Sequence, residues 1–328
     1  MSLYHRRLVS ATTRGFMFPG QGSQRVGMGR ALAEAFGAAR RVYDEVDDAL
    51  DQRLSRLMFE GPEDELTLTQ NAQPALLAVS LAATRALEAE GGFVLADKCA
   101  YVAGHSLGEY SALAAVGSLS LPDAARLLRR RGLAMQQAVP VGEGAMAALL
   151  GIGLEAAVGI AEAAAEGDVC VAANDNAPDQ VVLSGSRAAV ERAIVLAPER
   201  GARRAIPLPV SAPFHCELMA PAAEIMEQAL ADVAIEHPVV PLIANVTAAP
   251  VDGAGSIPGL LVRQITGLVR WRESVLAMKA GGVDTLVELG AGKVLSGLAR
   301  RIDGDLTGIS VADPAGVEAL LESGRVSG

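Results

Sequence analysis

Cysteine is scarce in this chain. Three occur in 328 residues, Cys99, Cys170 and Cys216, far apart and with no C-x-x-C pair. So few, in an odd number, exclude a disulfide framework and read as reduced thiols of a cytoplasmic protein. Basic residues are also in deficit, 28 Lys and Arg against 38 Asp and Glu, a formal charge of −10. That balance argues against a general nucleic-acid binder, which needs clustered cations to neutralise phosphates, yet leaves room for small anionic substrates held by a few local cations. Long apolar runs are missing: the Ala-rich stretch 145–165 is broken by Glu155 and Glu162, so no membrane span is expected. There is no HExxH, no Cys/His cluster and no paired-carboxylate pattern, so neither a metal nor another cofactor is expected.

The opening MSLYHRRLVSATTRG lacks the apolar segment of a signal peptide. Its three arginines without acids have a transit-peptide flavour, but fifteen residues is short for one, and the segment reads as a frayed end or an added remnant. Asn245-Val-Thr247 spells a glycosylation sequon, a chance match in a chain without a secretory signal.

What is present suits a folded chain: 51% hydrophobic and 20% charged residues, long enough for one large domain or two ordinary ones. Short apolar runs flanked by Gly and Pro alternate with helical patterns, the signature of an α/β fold with mainly parallel strands. The expected strands are 15–18, 100–103, 146–150, 169–173, 180–184, 204–207, 241–245 and 285–289. Helical stretches are expected at 74–90, 122–138, 188–197, 221–233 and 260–280. From about 140 to 208 the order is strand, helix, strand, strand, helix, strand, a ferredoxin-like arrangement. The expectation is therefore a small domain, 140–208, inserted into a larger α/β domain made of 14–139 and 209–320, with a substrate cleft between them.

Gly104-His-Ser-Leu-Gly108 is the strongest local signal. This G-x-S-x-G string follows a short apolar run and precedes a helical stretch, the context a nucleophile elbow requires. Flanking glycines let the backbone turn sharply, and a serine at a helix N-terminus meets free N–H groups that favour developing negative charge. Ser106 is the candidate nucleophile; the alternative is an N-capping serine in an ordinary glycine-rich turn.

A serine nucleophile needs a base. His5 lies near the start of the chain, His105 sits in the elbow itself, and His237 precedes a proline in a polar connection. His215 stands in the irregular Pro209-Val-Ser-Ala-Pro-Phe-His-Cys216 stretch, where loops on a rigid frame collect catalytic groups. A helix-capping histidine is the alternative. No third carboxylate announces itself, because Asp175 and Asp179 fall in the inserted segment; a backbone carbonyl could hold the imidazole instead.

The Gly-rich loop 18–27 fits neither G-x-G-x-x-G nor a P-loop, since Met28 stands where lysine is needed. It can still offer backbone N–H groups as half of an oxyanion hole. Within Arg129-Arg130-Arg131, consecutive helical residues point about 100° apart, so one or two can face the cleft and fork a carboxylate.

Taken together, Phe18-Pro-Gly-Gln-Gly-Ser-Gln24, Gly104-His-Ser-Leu-Gly-Glu-Tyr-Ser-Ala112, Arg131-Gly, Gly144-Ala-Met-Ala147, Pro209–Cys216, Leu261-Val-Arg-Gln264 and Glu288-Leu-Gly-Ala-Gly-Lys-Val-Leu295 resemble the malonyl-CoA:acyl carrier protein transacylases. The motifs run in family order over residues 14 to 310. The resemblance implies an α/β-hydrolase-like parallel-sheet core with a ferredoxin-like insertion. It also implies a cofactor-free ping-pong transfer of malonyl from malonyl-CoA to the phosphopantetheine thiol of acyl carrier protein, in fatty-acid biosynthesis.

By the same resemblance Ser106 is the nucleophile and His215 the general base. Gln21 and Leu107 supply the oxyanion-hole N–H groups, and Arg131 clamps the malonyl carboxylate. The main chain of Gln264 orients the histidine. Phe214 resembles a bulky residue of malonyl-selective enzymes, implying malonyl over methylmalonyl. A carrier protein is acidic, so docking on this acidic chain calls for a local basic rim; candidates are Arg203, Arg204, Lys293, Arg300 and Arg301. Rival readings are a serine thioesterase, an acyltransferase subunit of a malonate decarboxylase or polyketide system, and a non-enzymatic carrier-binding module.

Overall fold

The computed structural model of the chain describes residues 14–251 and 253–323. Among the described residues ten strands form two sheets: β1 (Arg14–Phe18), β2 (Tyr101–Gly104), β3 (Gly144–Leu150), β4 (Cys170–Ala177), β5 (Gln180–Ser186), β6 (Arg204–Pro207), β7 (Leu242–Ala244), β8 (Ala249–Pro250), β9 (Thr285–Leu289) and β10 (Thr307–Val311). The larger sheet runs β10-β9-β1-β2-β7-β8, parallel throughout except for the two-residue edge strand β8. The architecture is mixed α/β with a parallel-dominated sheet.

Strand β1 sits at the centre and shows why this sheet needs helices on both sides. Phe16 and Phe18 point into one apolar cluster, while Met17, on the opposite face, joins a second cluster with Trp271 and Leu286; all three β1 side chains are fully buried. Each such side chain contributes about 1.5–3 kcal/mol of burial. A strand buried on both faces reads as a continuous apolar run, not an alternation. The helix Thr69–Gly91 behaves the same way: most of it is buried all round, packed against the helices Gly37–Leu50 and Leu121–Ala138.

The second sheet, β4-β5-β3-β6, is antiparallel throughout and is built only from strands lying between residues 144 and 207. Its side chains and the helices Leu154–Ala165 and Arg187–Glu199 make an apolar cluster of their own.

Two expectations need correction. The helical stretch 260–280 is two helices, Ile257–Thr266 and Trp271–Ala280. Between them Val269 spends its backbone groups on the small sheet: its N–H donates to the Ala173 carbonyl and its carbonyl accepts from Asp175 N–H, each at 2.9 Å. Strands β8 and β10 were not foreseen. The sequence of β10, Thr-Gly-Ile-Ser-Val, carries too few apolar residues to stand out, and only Val311 is buried.

Because β1, β2, β7 and β9 are parallel, their carboxyl ends open on one edge. The 19–27 loop, the elbow, Asn245 and the Gly290 turn all start there. That edge is where open parallel sheets gather ligand-binding groups.

Candidate active site

The elbow follows β2 directly and leads into the helix Gly108–Ala115. Ser106 is held at φ 53°, a left-handed conformation that costs an L-residue roughly 1–2 kcal/mol. The turn closes so tightly that a Cβ on Gly104 would lie 1.8 Å from the Gly108 carbonyl carbon, and one on Gly108 would lie 2.2 Å from the Phe18 oxygen. Both flanking glycines are thus required by backbone against backbone. Gly104→Ala or Gly108→Ala is expected to destabilise the chain by at least about 3 kcal/mol, read as a fall in the urea midpoint. A midpoint within experimental error of the parent would show that the turn has another way to close.

Ser106 Oγ lies 2.8 Å from His215 Nε2, and His215 Nδ1 lies 2.7 Å from the main-chain oxygen of Gln264. A carbonyl only accepts, so Nδ1 carries the proton and Nε2 is left bare to take the serine's hydrogen. His215 is itself in a left-handed conformation, φ 62°, in the irregular stretch before the helix Ala220–Ala231. Burial, then the neighbouring Arg131 charge, push its pKa down to about 3, so the imidazole is neutral at pH 7.

Arg131 is the member of the arginine run that faces inward, with 1% of its surface exposed, whereas Arg130 is exposed. Its Nη1 donates to Gln73 Oε1 at 2.9 Å, and its Nη2 donates to Gln264 Oε1 at 2.9 Å and to Ser106 Oγ at 3.1 Å. Its buried Nε–H has no partner among the described residues. The next residue explains the approach: a Cβ on Gly132 would be 2.6 Å from the Gln70 Cα, so only glycine lets the Leu121–Ala138 helix press against Thr69–Gly91 and carry Arg131 to Gln73.

A cavity of about 840 Å³ joins these groups, with Gln21, Leu107, Arg131, Phe214 and His215 among its lining and Ser106 on its wall. Met135, Met146 and Val182 make part of it apolar. Gln21 lies on the 19–27 loop, its side chain 3.4 Å from Thr69 Oγ1, and Leu107 N-caps the helix after the serine. All seven candidate side chains or backbones of the sequence reading, Ser106, His215, Gln21, Leu107, Arg131, Gln264 and Phe214, therefore lie around one site.

The other histidines do different work or lie elsewhere. His105 is held by Asn176 Oδ1 at 2.9 Å and sits beside Trp271, and His237 is exposed; His5 lies outside the described residues. Asp175 pairs with Arg272 at 2.9 Å and Asp179 with Arg301 at 2.6 Å. Of the rim candidates, Arg301 and, more loosely, Arg203 share Asp179, while Arg204 and Lys293 are exposed.

Three residues at the site were not singled out from the sequence: Gln73, Glu109 and Asn245. Asn245, read there as a sequon, accepts the Ser106 N–H on Oδ1 at 2.8 Å and donates from Nδ2 to the Gly104 oxygen at 2.7 Å. Glu109 accepts the Asn245 N–H on Oε1 at 2.7 Å and an N–H of Gln264 on Oε2. Burial pushes the Glu109 carboxyl up, while those donors and Arg131 pull it back. Both its oxygens face N–H donors, so the ionised form is the one that fits. The signal was in the motif Gly104–Ala112, but its partners lie more than 130 residues away.

A serine hydroxyl bonded to a neutral, carbonyl-held imidazole, at a helix N-terminus and beside a buried guanidinium, can form and break an acyl ester on a substrate carrying a free carboxylate. Known proteins bear on this site directly. The acyl transferase domain family matches residues 15–303. The chain is 47% identical to the malonyl CoA-acyl carrier protein transacylase of Bacillus subtilis over 309 residues, covering 94% of this chain and 96% of that one. The acyl-carrier-protein-S-malonyltransferase structure from Bartonella henselae superposes with a TM-score of 0.92 at 55% identity, covering 94% and 98%. A malonyl-transacylase solved in complex with a type II PKS acyl-carrier protein superposes at 0.91 with 41% identity, covering 94% and 99%. The chain is an acyltransferase. Within that class it belongs to the malonyl CoA-acyl carrier protein transacylase family.

Proposed function

We propose that this chain moves a malonyl group from malonyl-CoA, through an ester on Ser106, to the phosphopantetheine thiol of an acyl carrier protein, supplying fatty-acid synthesis. The observation that carries the reading is the buried Arg131 guanidinium, 3.1 Å from the nucleophile's oxygen. In malonyl-CoA the free carboxylate is one methylene away from the reacting carbonyl, so a cation beside the attacking oxygen is placed to receive it.

In the first half-reaction Ser106 Oγ attacks the thioester carbonyl as its proton passes to His215 Nε2. Negative charge gathers on the carbonyl oxygen, where the N–H groups of Gln21 and Leu107 would receive it. Collapse breaks the carbon–sulfur bond, and the His215 proton goes to the departing thiolate, releasing CoA. In the second half the carrier's thiol gives its proton to His215, its sulfur attacks the ester, and Ser106 Oγ leaves with that proton. Overall one thioester replaces another, so the exchange is close to balanced, reversible, and calls for no cofactor. Phe214, 8% exposed in the cavity wall, would crowd an α-methyl branch and favour malonyl over methylmalonyl.

The finer architecture follows the same family: an α/β-hydrolase-like core from residues 14–139 and 209–320 and a ferredoxin-like insertion, 140–208. The order β6-β3-β5-β4, with two helices sharing one apolar cluster, supports that reading. A cytoplasmic location is supported by the three free thiols. No helix among the described residues is long and apolar enough to cross a membrane.

Intact-protein mass spectrometry after brief mixing with malonyl-CoA alone tests the function. A malonyl adduct is expected on the parent and not on Ser106→Ala. Accumulating free malonate without an adduct would instead make the chain a thioesterase.

A further inference from the structure

Glu109 is fully buried, bonded to Asn245 and Gln264, and takes no part in the chemistry above. Its two oxygens meet two donors of different kinds. One is the Asn245 backbone N–H, which the chain fixes; the other is the side-chain amide of Gln264, which can turn over. With its nitrogen end toward Glu109, Gln264 also donates to the Ser106 main-chain oxygen at 2.9 Å, and its oxygen end is left for Arg131 Nη2. Reversing that amide would set its N–H groups against the guanidinium and its oxygen against the Ser106 carbonyl. Donor would face donor and acceptor would face acceptor.

Resting on the function proposed above, we propose that Glu109 is a positioning residue for acyl-group selection: by accepting on both oxygens it fixes which way the Gln264 amide points, and the amide in turn fixes the Arg131 guanidinium that receives the malonyl carboxylate. A glutamine at 109 would have one acceptor for two donors. The Asn245 N–H is immobile, so Gln264 is the partner that turns, and Arg131 Nη2 loses the Gln264 oxygen, leaving Gln73 alone to hold the guanidinium from the side away from Ser106. The effect falls on substrates with a free carboxylate. Acetyl-CoA, which offers Arg131 no carboxylate, is the internal control.

The test compares rates of Ser106 acylation by malonyl-CoA and by acetyl-CoA in the parent, Glu109→Gln, Gln264→Met and the double variant. Gln264→Met keeps the main-chain oxygen that holds His215. Each single variant is expected to lower the malonyl-to-acetyl ratio by about tenfold, and the double variant to lower it no further, as for residues acting in one chain. An unchanged ratio in Glu109→Gln, or losses that multiply in the double variant, would overturn the proposal. Should Glu109→Gln fail to fold, a parental ratio in Gln264→Met overturns it equally. A parent that accepts acetyl as readily as malonyl would sink the function proposed above before any variant is compared.

Discussion

Arg131→Ala is expected to slow acylation by malonyl-CoA by about two to three orders of magnitude, because it removes the charged partner of a buried carboxylate. Acylation by acetyl-CoA should fall far less, so the preference for malonyl disappears. A second consequence appears in the pH profile. His215 is held near pKa 3 by burial first and by the Arg131 charge second. Removing that charge lets the histidine's pKa climb toward its ordinary value of about 6.5. The base must be neutral to act, so the acid limb of kcat/KM moves to higher pH in the variant. The stability linkage has the same sign. A depressed histidine contributes stability that is present above pH 6.5 and lost as pH falls toward the folded pKa. In the variant that loss is confined to a narrower window. Steady-state rates with both thioesters between pH 4.5 and 8, where the variant and not the parent should lose rate at the acid end, check the profile, and urea midpoints over the same range check the stability. An acid limb at the parental position would show that Arg131 does not set the base.

His215→Ala is expected to cost four to six orders of magnitude, roughly, in malonyl transfer, the range for losing the base of a serine dyad. Ser106→Ala should match it, and the double variant should be no worse, since the two act as a unit. The orienting acceptor here is a peptide oxygen, Gln264 O at 2.7 Å. No side-chain replacement at 264 removes it, so no counterpart exists to the large loss that follows from mutating a triad aspartate. A peptide oxygen also lacks the charge that would stabilise an imidazolium, in keeping with the depressed histidine pKa. Quenched-flow acylation rates distinguish the cases: a residual rate within a hundredfold of the parent would mean that another group takes the serine's proton.

Local motifs carried much of the site into view. Ser106 sits in a string whose first glycine is dictated by the backbone of Gly108, four residues on, so the spacing is readable, although Gly108 itself answers to Phe18 on the neighbouring strand. His215 is singled out by elimination among four histidines, and with no third carboxylate in the pattern a carbonyl is left to hold its ring, the position Gln264 O occupies. Glu109 and Asn245 were not legible, because their meaning depends on β7 lying beside β2, a pairing between residues some 140 apart. Asn245 even matched a misleading motif. The 260–280 stretch misled for a related reason: its apolar spacing is helical on both sides of Gly267, and only the small sheet's demand for the Val269 backbone breaks it. The arginine run shows the limit from the other side, since periodicity narrows three candidates to one or two and only packing against Gln70 selects Arg131.

The tie between β4 and residues 269–272 bears on how the protein can be re-engineered. Asp175 on β4 is fully buried and reaches Arg272 at 2.9 Å, while Val269 pairs with the same strand. The smaller sheet is thus stitched to a stretch of chain some sixty residues beyond its own last strand. Replacing residues 144–207, which carry that sheet, with a homologous segment to alter acyl preference would cut those stitches unless residues 268–272 travel with it. The exchangeable module is two pieces of sequence, and chimeras designed on the continuous piece alone should express as poorly packed hybrids.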